Sequence, residues 1–344
     1  MTKSGSTPPN SQNIANIFKL GDVKPLLGDA STRSYFRGNK DGKSFIVMAY
    51  PDTSKESCAN LKVFLDKSEM MSKAGIKVAK CYELNEHSAC ALLEDLGRHS
   101  FGDCLRAARE SPKTLYEMAT QTLIQMRVIK ETHALPLYKD THIYANRRQL
   151  IDYYMAYKSG KRPSESYINE FYALWEQIES SLPPCPQGFV HGDYHLENLI
   201  HCSGEEGLRR CAVIDNQDAF CGPLPYDLVN LLEDARTDVP HNIRSNMIHL
   251  YTQNMSEDEK ETFFAWYTVM AMQFHGRVIG LFIKFAAEQN NDSYLIHIPR
   301  LQKYIEGSLN NPILKPLKSW FKKVRLDFNI VTPLDGDHVR AALK

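Results

Sequence analysis

An α+β fold, with a small β-rich lobe followed by a larger and mostly helical one, is what this sequence predicts. Three observations predict it. Runs rich in β-branched and aromatic residues cluster before residue 97. Helical periodicity dominates after residue 100. One short β element, LIHC (199–202) followed by CAVID (211–215), interrupts the helices near their middle.

Taken in order, residues 1–12 are polar and Pro/Ser-rich and are expected to form a flexible tail. The stretch 13–96 is expected to be the N-terminal, nucleotide-binding lobe. In it RSYFRG (33–38) and KSFIVMAY (43–50) read as a hairpin closed by a short polar turn. The segment 54–75 has helical spacing at Leu61, Phe64, Leu65 and Met71 and stops at Gly75. KVAKCYEL (77–84) and SACALLEDL (88–96) read as two further strands. The remainder, 97–344, is expected to be the helical C-terminal lobe. Its helices are expected at about 111–131, 144–157, 164–181, 226–236, 241–254, 256–289 and 312–325. Ser256 with Glu259 fits a capping box. The 256–289 stretch is long for one helix, and Gly276 and Gly280 are the expected breaks.

The 344 residues suffice for two lobes with a sizeable core. Lys+Arg and Asp+Glu balance at 41 each, so no bulk electrostatic pull toward nucleic acid or membrane is expected. The eight cysteines include no C-x-x-C pair, which speaks against a structural zinc site and suits reduced thiols in a cytoplasm. MTKSGSTPPNSQN lacks the apolar core of a signal peptide, and FFAWYTVMAM (263–272) is too short to span a bilayer. A cytoplasmic monomer is the expectation.

Two motifs fail on their own terms. GNKDGKS (38–44) has three residues between its glycines, where a phosphate-binding P-loop has four, and it lies between two strands. His191 and His195 have zinc-protease spacing, but Gly192 stands where that motif needs its glutamate. The D-x-H of Asp193 and His195 suits a metal phosphohydrolase only weakly, since further histidines with ligand spacing are absent.

FVHGDYHLENLI (189–200) fits a different pattern. In protein kinases the string H-R-D-L-x-x-x-N places an aspartate beside the acceptor hydroxyl and an asparagine on magnesium. Here Asp193 and Asn198 keep that spacing. A second acidic ligand is needed after a short hairpin, and CAVIDNQDAF supplies Asp215 at a strand end. Magnesium suits such oxygen donors, completed by phosphates and waters. The reading is an ATP- and Mg2+-dependent phosphotransferase with a protein-kinase-like two-lobed fold. Asp193 is then the catalytic base, Asn198 and Asp215 the metal ligands. A nucleotide-covering loop falls on GDASTRSYFR, so Ser31, Thr32 and Arg33 are candidate phosphate contacts, with Arg33 equally readable as a solvated strand-end charge. Glu94 and Leu96, in LLEDLG, mark the lobe connector whose peptide groups would face adenine. His191 reads as a brace for its loop, and His195 has no assigned role.

HGDYHLEN followed by VIDNQDAFCGPLPYDLVNLL resembles the aminoglycoside phosphotransferase/choline kinase superfamily. The resemblance implies that Asp227 holds the catalytic loop from the start of a helix. Further blocks extend it over nearly the whole chain: GDASTRSYFR, FIVMAYP, LLEDLG and MQFHGRVIGLFIKFA…YLIHIPRLQKYI. Together these are similar to the bacterial anomeric kinases of N-acetylmuramate and N-acetylglucosamine, which use ATP in peptidoglycan recycling. That resemblance implies a small sugar as partner, with no nucleic acid or membrane. It also places Gln273 and Arg277 near the acceptor, although Arg277 reads equally as a core ion-pair residue. Two features depart from the protein-kinase pattern. Met48 stands where a strand lysine would pair with phosphates, leaving Lys43 or Arg37 to replace its charge and Glu56 or Glu69 without their partner. Asn216 follows Asp215 where many relatives have Phe. The missing lysine and glycine-poor loop also fit a non-catalytic, kinase-shaped binding protein, and choline-like or aminoglycoside acceptors remain the alternatives within the superfamily.

Overall fold

The computed structural model describes residues 9–26, 33–329 and 334–344. The chain forms two compact units, one from Met1–Ile129 with Leu196–Ala219, the other from Lys130–His195 with Phe220–Lys344.

The first unit is built on a five-stranded antiparallel sheet, in the order β1 (Gly21–Leu26), β2 (Ser34–Lys40), β3 (Lys43–Ala49), β5 (Cys90–Glu94), β4 (Cys81–Asn85). The β2–β3 turn is Asp41-Gly42, both at positive φ (52° and 75°), the two-residue turn whose twist matches a hairpin. That is why the P-loop look-alike is a turn. Strand β3 is apolar on both faces because both are covered, and alternate side chains point opposite ways. Val47 and Ala49 pack with Ile14 and Phe18 of helix α1 (Ser11–Phe18), while Met48 packs with Leu61 and Phe64 of helix α2 (Lys55–Lys73). Helix α1 starts inside the stretch expected to be a tail. Asn10 caps it by accepting from the Asn13 N–H at 2.9 Å, and its i, i+4 pair Ile14 and Phe18 is buried. Helix α2 is capped by Ser54, which accepts from the Ser57 N–H. The unit is completed by α3 (Phe101–Arg106), α4 (Pro112–Met126) and the hairpin of β7 (Leu199–His201) with β8 (Cys211–Val213).

The second unit contains α5 (His142–Ala145), α6 (Ala156–Ser159), α7 (Glu165–Ser180), β6 (Gln187–Val190) paired with β9 (Phe220–Pro223), α8 (Pro225–Leu232), α9 (His241–Thr252), α10 (Glu257–Gln289), α11 (Ile298–Ser308), α12 (Lys315–Lys323) and α13 (Gly336–Ala342). Helix α10 starts at the expected capping box, with Ser256 and Glu259 bonded reciprocally, and runs unbroken for 33 residues. The expected breaks at Gly276 and Gly280 do not occur. Both glycines serve close approach instead. A Cβ on Gly280 would lie 2.1 Å from the Gln149 carbonyl oxygen, just before the π-helical turn Leu150–Met155, and one on Gly276 would lie 3.3 Å from the Leu150 side chain. Gly280→Ala should therefore lower Tm by roughly 5 °C, because a backbone must move and the loss exceeds the gain in helix propensity. Gly276→Ala, which meets only a flexible side chain, should stay near the parent value. A thermal melt of both variants checks the contrast.

The apolar run within α10 is core: Phe263, Trp266, Val269, Met270 and Met272 are buried. No helix among the described residues is long and apolar enough to cross a membrane. No disulfide joins cysteines among the described residues.

Candidate active site

In the second unit, strand β6 leads into the loop His191–His195. Asp227, in the first turn of α8, holds its start: Oδ2 accepts from the His191 N–H at 2.6 Å and Oδ1 from the Gly192 N–H at 2.9 Å. Burial pushes the Asp227 carboxyl up to about 6, despite the opposing pull of His191 and of those two N–H donors. The His191 ring is fully buried, and its Nδ1 accepts from the Asp193 N–H at 3.3 Å. Gly192 sits at φ 90°, a conformation that favours glycine.

Those contacts present the Asp193 side chain, which is 47% exposed. Its Oδ2 lies 3.3 Å from His195 Nε2, and that same nitrogen lies 2.9 Å from Arg236 Nη2. Desolvation opposes the charge of Asp193, but His195, Arg236 and His191 outweigh it and hold the carboxyl well below the usual carboxylate range. Asp193 is therefore ionised at neutral pH.

In the first unit, Asn198 and Asp215 flank the same end of the β7–β8 hairpin. Leu199 pairs with Val213, and the Asn198 carbonyl accepts from the Ile214 N–H at 3.1 Å. Asp215 turns the chain in the left-handed region (φ 65°), which Asp tolerates better than most residues. Arg33 donates to Asp215 Oδ1 at 2.9 Å and to Gln217 Oε1 at 2.7 Å. An amide and a carboxylate at one hairpin end are donor types that fit magnesium, which binds few protein oxygens and keeps waters and phosphates. Glu197, beside Asn198, is tied down by Ser100 Oγ at 2.7 Å and by Arg106 Nη1 at 2.5 Å.

Ser31 and Thr32 lie outside the described residues. Glu94, at the end of β5, accepts from Lys77 Nζ at 2.6 Å and from the Lys80 N–H at 3.2 Å. The Leu96 carbonyl accepts from Cys202 Sγ at 3.3 Å. Gln273 is buried, accepting from Tyr138 Oη and donating to Glu179 Oε1, each at 2.8 Å. Arg277 donates to Tyr226 Oη at 3.1 Å, with its guanidinium over the Phe274 ring. Of the two residues offered as replacements for the strand lysine, Arg37 is engaged by Asp95 at 2.8 and 3.0 Å, and Lys43 is exposed at the start of β3. Glu56 and Glu69 are both exposed. The residue of α2 that does face the 216–218 loop is Lys67, whose Nζ donates to the Gln217 carbonyl at 2.5 Å. Sequence reasoning missed Lys67, Arg236 and Glu197. Only Glu197 carried a signal, its place inside the motif.

A model of the phosphotransferase enzyme family matches residues 22–262. The chain is 24% identical over 338 residues to an N-acetylmuramate/N-acetylglucosamine kinase of Caulobacter vibrioides, covering 88% of this chain and 93% of the relative. It is 27% identical over 294 residues to a protein of the same name from Pseudomonas aeruginosa, covering 84% of each. Among solved structures, it is similar in fold to a spectinomycin phosphotransferase in complex with ADP and spectinomycin (TM-score 0.57, 12% identity, 92% of this chain and 100% of that one). It is equally similar to a choline kinase of Streptococcus pneumoniae (TM-score 0.57, 16% identity, 88% and 98%).

Proposed function

The chain belongs to the phosphotransferase enzyme family, and on that premise we propose that it is an ATP- and magnesium-dependent kinase acting on the anomeric hydroxyl of an amino sugar, N-acetylmuramate or N-acetylglucosamine. One observation carries the chemistry. A single string, HGDYHLEN, supplies an ionised Asp193 and then Asn198, and Asn198 shares a hairpin end with Asp215. The near full-length similarity to two bacterial kinases of that name supports the acceptor.

In this reading Asp193 accepts the hydrogen bond of the sugar's anomeric hydroxyl and aims its oxygen. That oxygen forms a bond to the γ-phosphorus, the bond from phosphorus to the β-phosphate oxygen breaks, ADP leaves, and the proton passes to Asp193. A carboxylate of such low basicity is a weak proton acceptor, so its main work is orientation, with proton transfer late. Asn198 and Asp215 would hold magnesium, which when bound offsets phosphate charge. Ser31, Thr32 and Arg33 belong to the proposal on the phosphate side, Glu94 and Leu96 on the adenine side, and Gln273 and Arg277 on the acceptor side. The lobe boundary at 96/97, a cytoplasmic monomer and a place in peptidoglycan recycling go with it.

The test is purified protein with ATP, magnesium and a panel of acceptors, read by phosphorus NMR. A sugar 1-phosphate should form from the two amino sugars. Turnover of choline or an aminoglycoside, with none of any sugar, would overturn the acceptor while leaving the phosphotransferase chemistry.

A further inference from the structure

A kinase-like site needs a cation on the nucleotide phosphates, and the strand position that usually supplies it holds Met48, which is fully buried among apolar neighbours. Helix α2 holds a buried cation. It carries four lysines: Lys55, Lys62 and Lys73 are exposed, and Lys67 is 6% exposed. Lys67 points at the loop that follows Asp215, on the same helix face as Ser68, whose Oγ accepts from Asn216 Nδ2 at 3.0 Å. An ammonium has three N–H donors. Among the described residues that of Lys67 has one hydrogen-bond partner, the neutral Gln217 carbonyl; no carboxylate is within ion-pair distance, and Asp218 attracts it only from farther off. Burying a cation against a neutral group is costly, and a lysine wanted only for solubility would sit on the outer face of α2 with the other three. Arg33 reaches the same Gln217 from the other side, through its amide, while pairing with Asp215. Two cations thus bracket one residue of the loop that carries the proposed metal ligand.

We infer that Lys67 is the phosphate-binding residue that replaces the absent strand lysine, working from helix α2 beside Arg33 on the di- or triphosphate of the nucleotide. The cation has moved from the strand to the helix facing it, which is why neither Glu56 nor Glu69 has a counter-ion role there. The inference rests on the kinase reading above.

The experiment measures binding of adenosine, ADP and ATP, with magnesium, to the wild-type chain and to Lys67→Met, Lys67→Arg and Arg33→Met by titration calorimetry, alongside KM for ATP and for the sugar. Lys67→Met should weaken ADP and ATP by roughly tenfold to a hundredfold, leave adenosine unchanged, and raise KM for ATP without moving KM for the sugar. Lys67→Arg should recover part of the loss, and Arg33→Met should show the same nucleotide pattern. Because methionine removes a buried charge, the Lys67→Met melt should not fall. A Lys67→Met chain that binds ATP as the wild type does, or that loses adenosine and ATP equally, would overturn the assignment and leave Lys67 as a strut between α2 and the loop. If the wild-type chain turns over no acceptor and binds no nucleotide, the kinase reading fails, and this assignment with it.

Discussion

Asp193→Asn should keep its fold and its nucleotide affinity and lose turnover by a factor of roughly 10² to 10⁴. The side chain is half exposed and Asn matches it in shape, so little stability depends on the change. What disappears is the negative acceptor. Asn can turn its Nδ2 toward His195 and its oxygen toward a hydroxyl, but it cannot take the proton that the product must shed. The pH profile separates this role from a merely structural one. Asp193 is held ionised well below the usual carboxylate range by His195 and Arg236, so wild-type kcat should show no acidic limb from this group near pH 4 to 5. Arg236→Ala weakens that support and should bring such a limb into view. A wild-type level of kcat in Asp193→Asn, with nucleotide bound, would remove Asp193 from the chemistry.

The chain wrote its hairpins and its loop motif in plain local terms. Asp41-Gly42 between two apolar runs needs only local turn chemistry, Asp193 and Asn198 are linked by spacing in one short string, and Asn198 and Asp215 flank one hairpin. The long helix was legible too, though its glycines misled. A glycine inside a helical pattern reads as a break when only the local propensity is considered. The approach of the Gln149 backbone to Gly280 comes from a segment far away in the chain, and no local pattern encodes it. Helix α1 was missed for a related reason: its polar face looks like a tail, and only the buried sheet surface under Ile14 and Phe18 explains why it folds. Lys67 and Arg236 were invisible because a lysine or arginine on an amphipathic segment is ordinarily a solvated charge. What distinguishes them is which group each one faces, and that is a property of the fold.

Asp227→Asn should lower activity at pH 7.5 by about 10² while costing little stability at that pH, and the two effects have separate causes. The carboxylate accepts two backbone N–H groups, from His191 and Gly192, and so fixes the approach to Asp193. Asn offers one oxygen, and its Nδ2 would confront the other N–H. One buried donor is left unpaired, at about 1–3 kcal/mol, and the loop shifts by the fraction of an ångström that suffices to misplace Asp193, the proposed base. Against this stands the charge. Burial raises the Asp227 carboxyl to about 6, above its unfolded value. A group whose folded pKa is raised loses its favourable contribution as pH rises: the wild type is stabilised below about pH 4 and gives up on the order of 3 kcal/mol by the time pH passes 6. The Asn variant has no such titration. It should therefore melt below the wild type at pH 4.5, and the deficit should shrink toward zero above pH 6. Lowered carboxylates such as Asp193 have the opposite dependence but are common to both chains, so the difference between the two melting curves isolates Asp227. Equal deficits at pH 4.5 and 7.5 would mean that the buried carboxyl keeps one protonation state throughout. Wild-type kcat in the variant would mean that two hydrogen bonds to the loop are more than Asp193 needs.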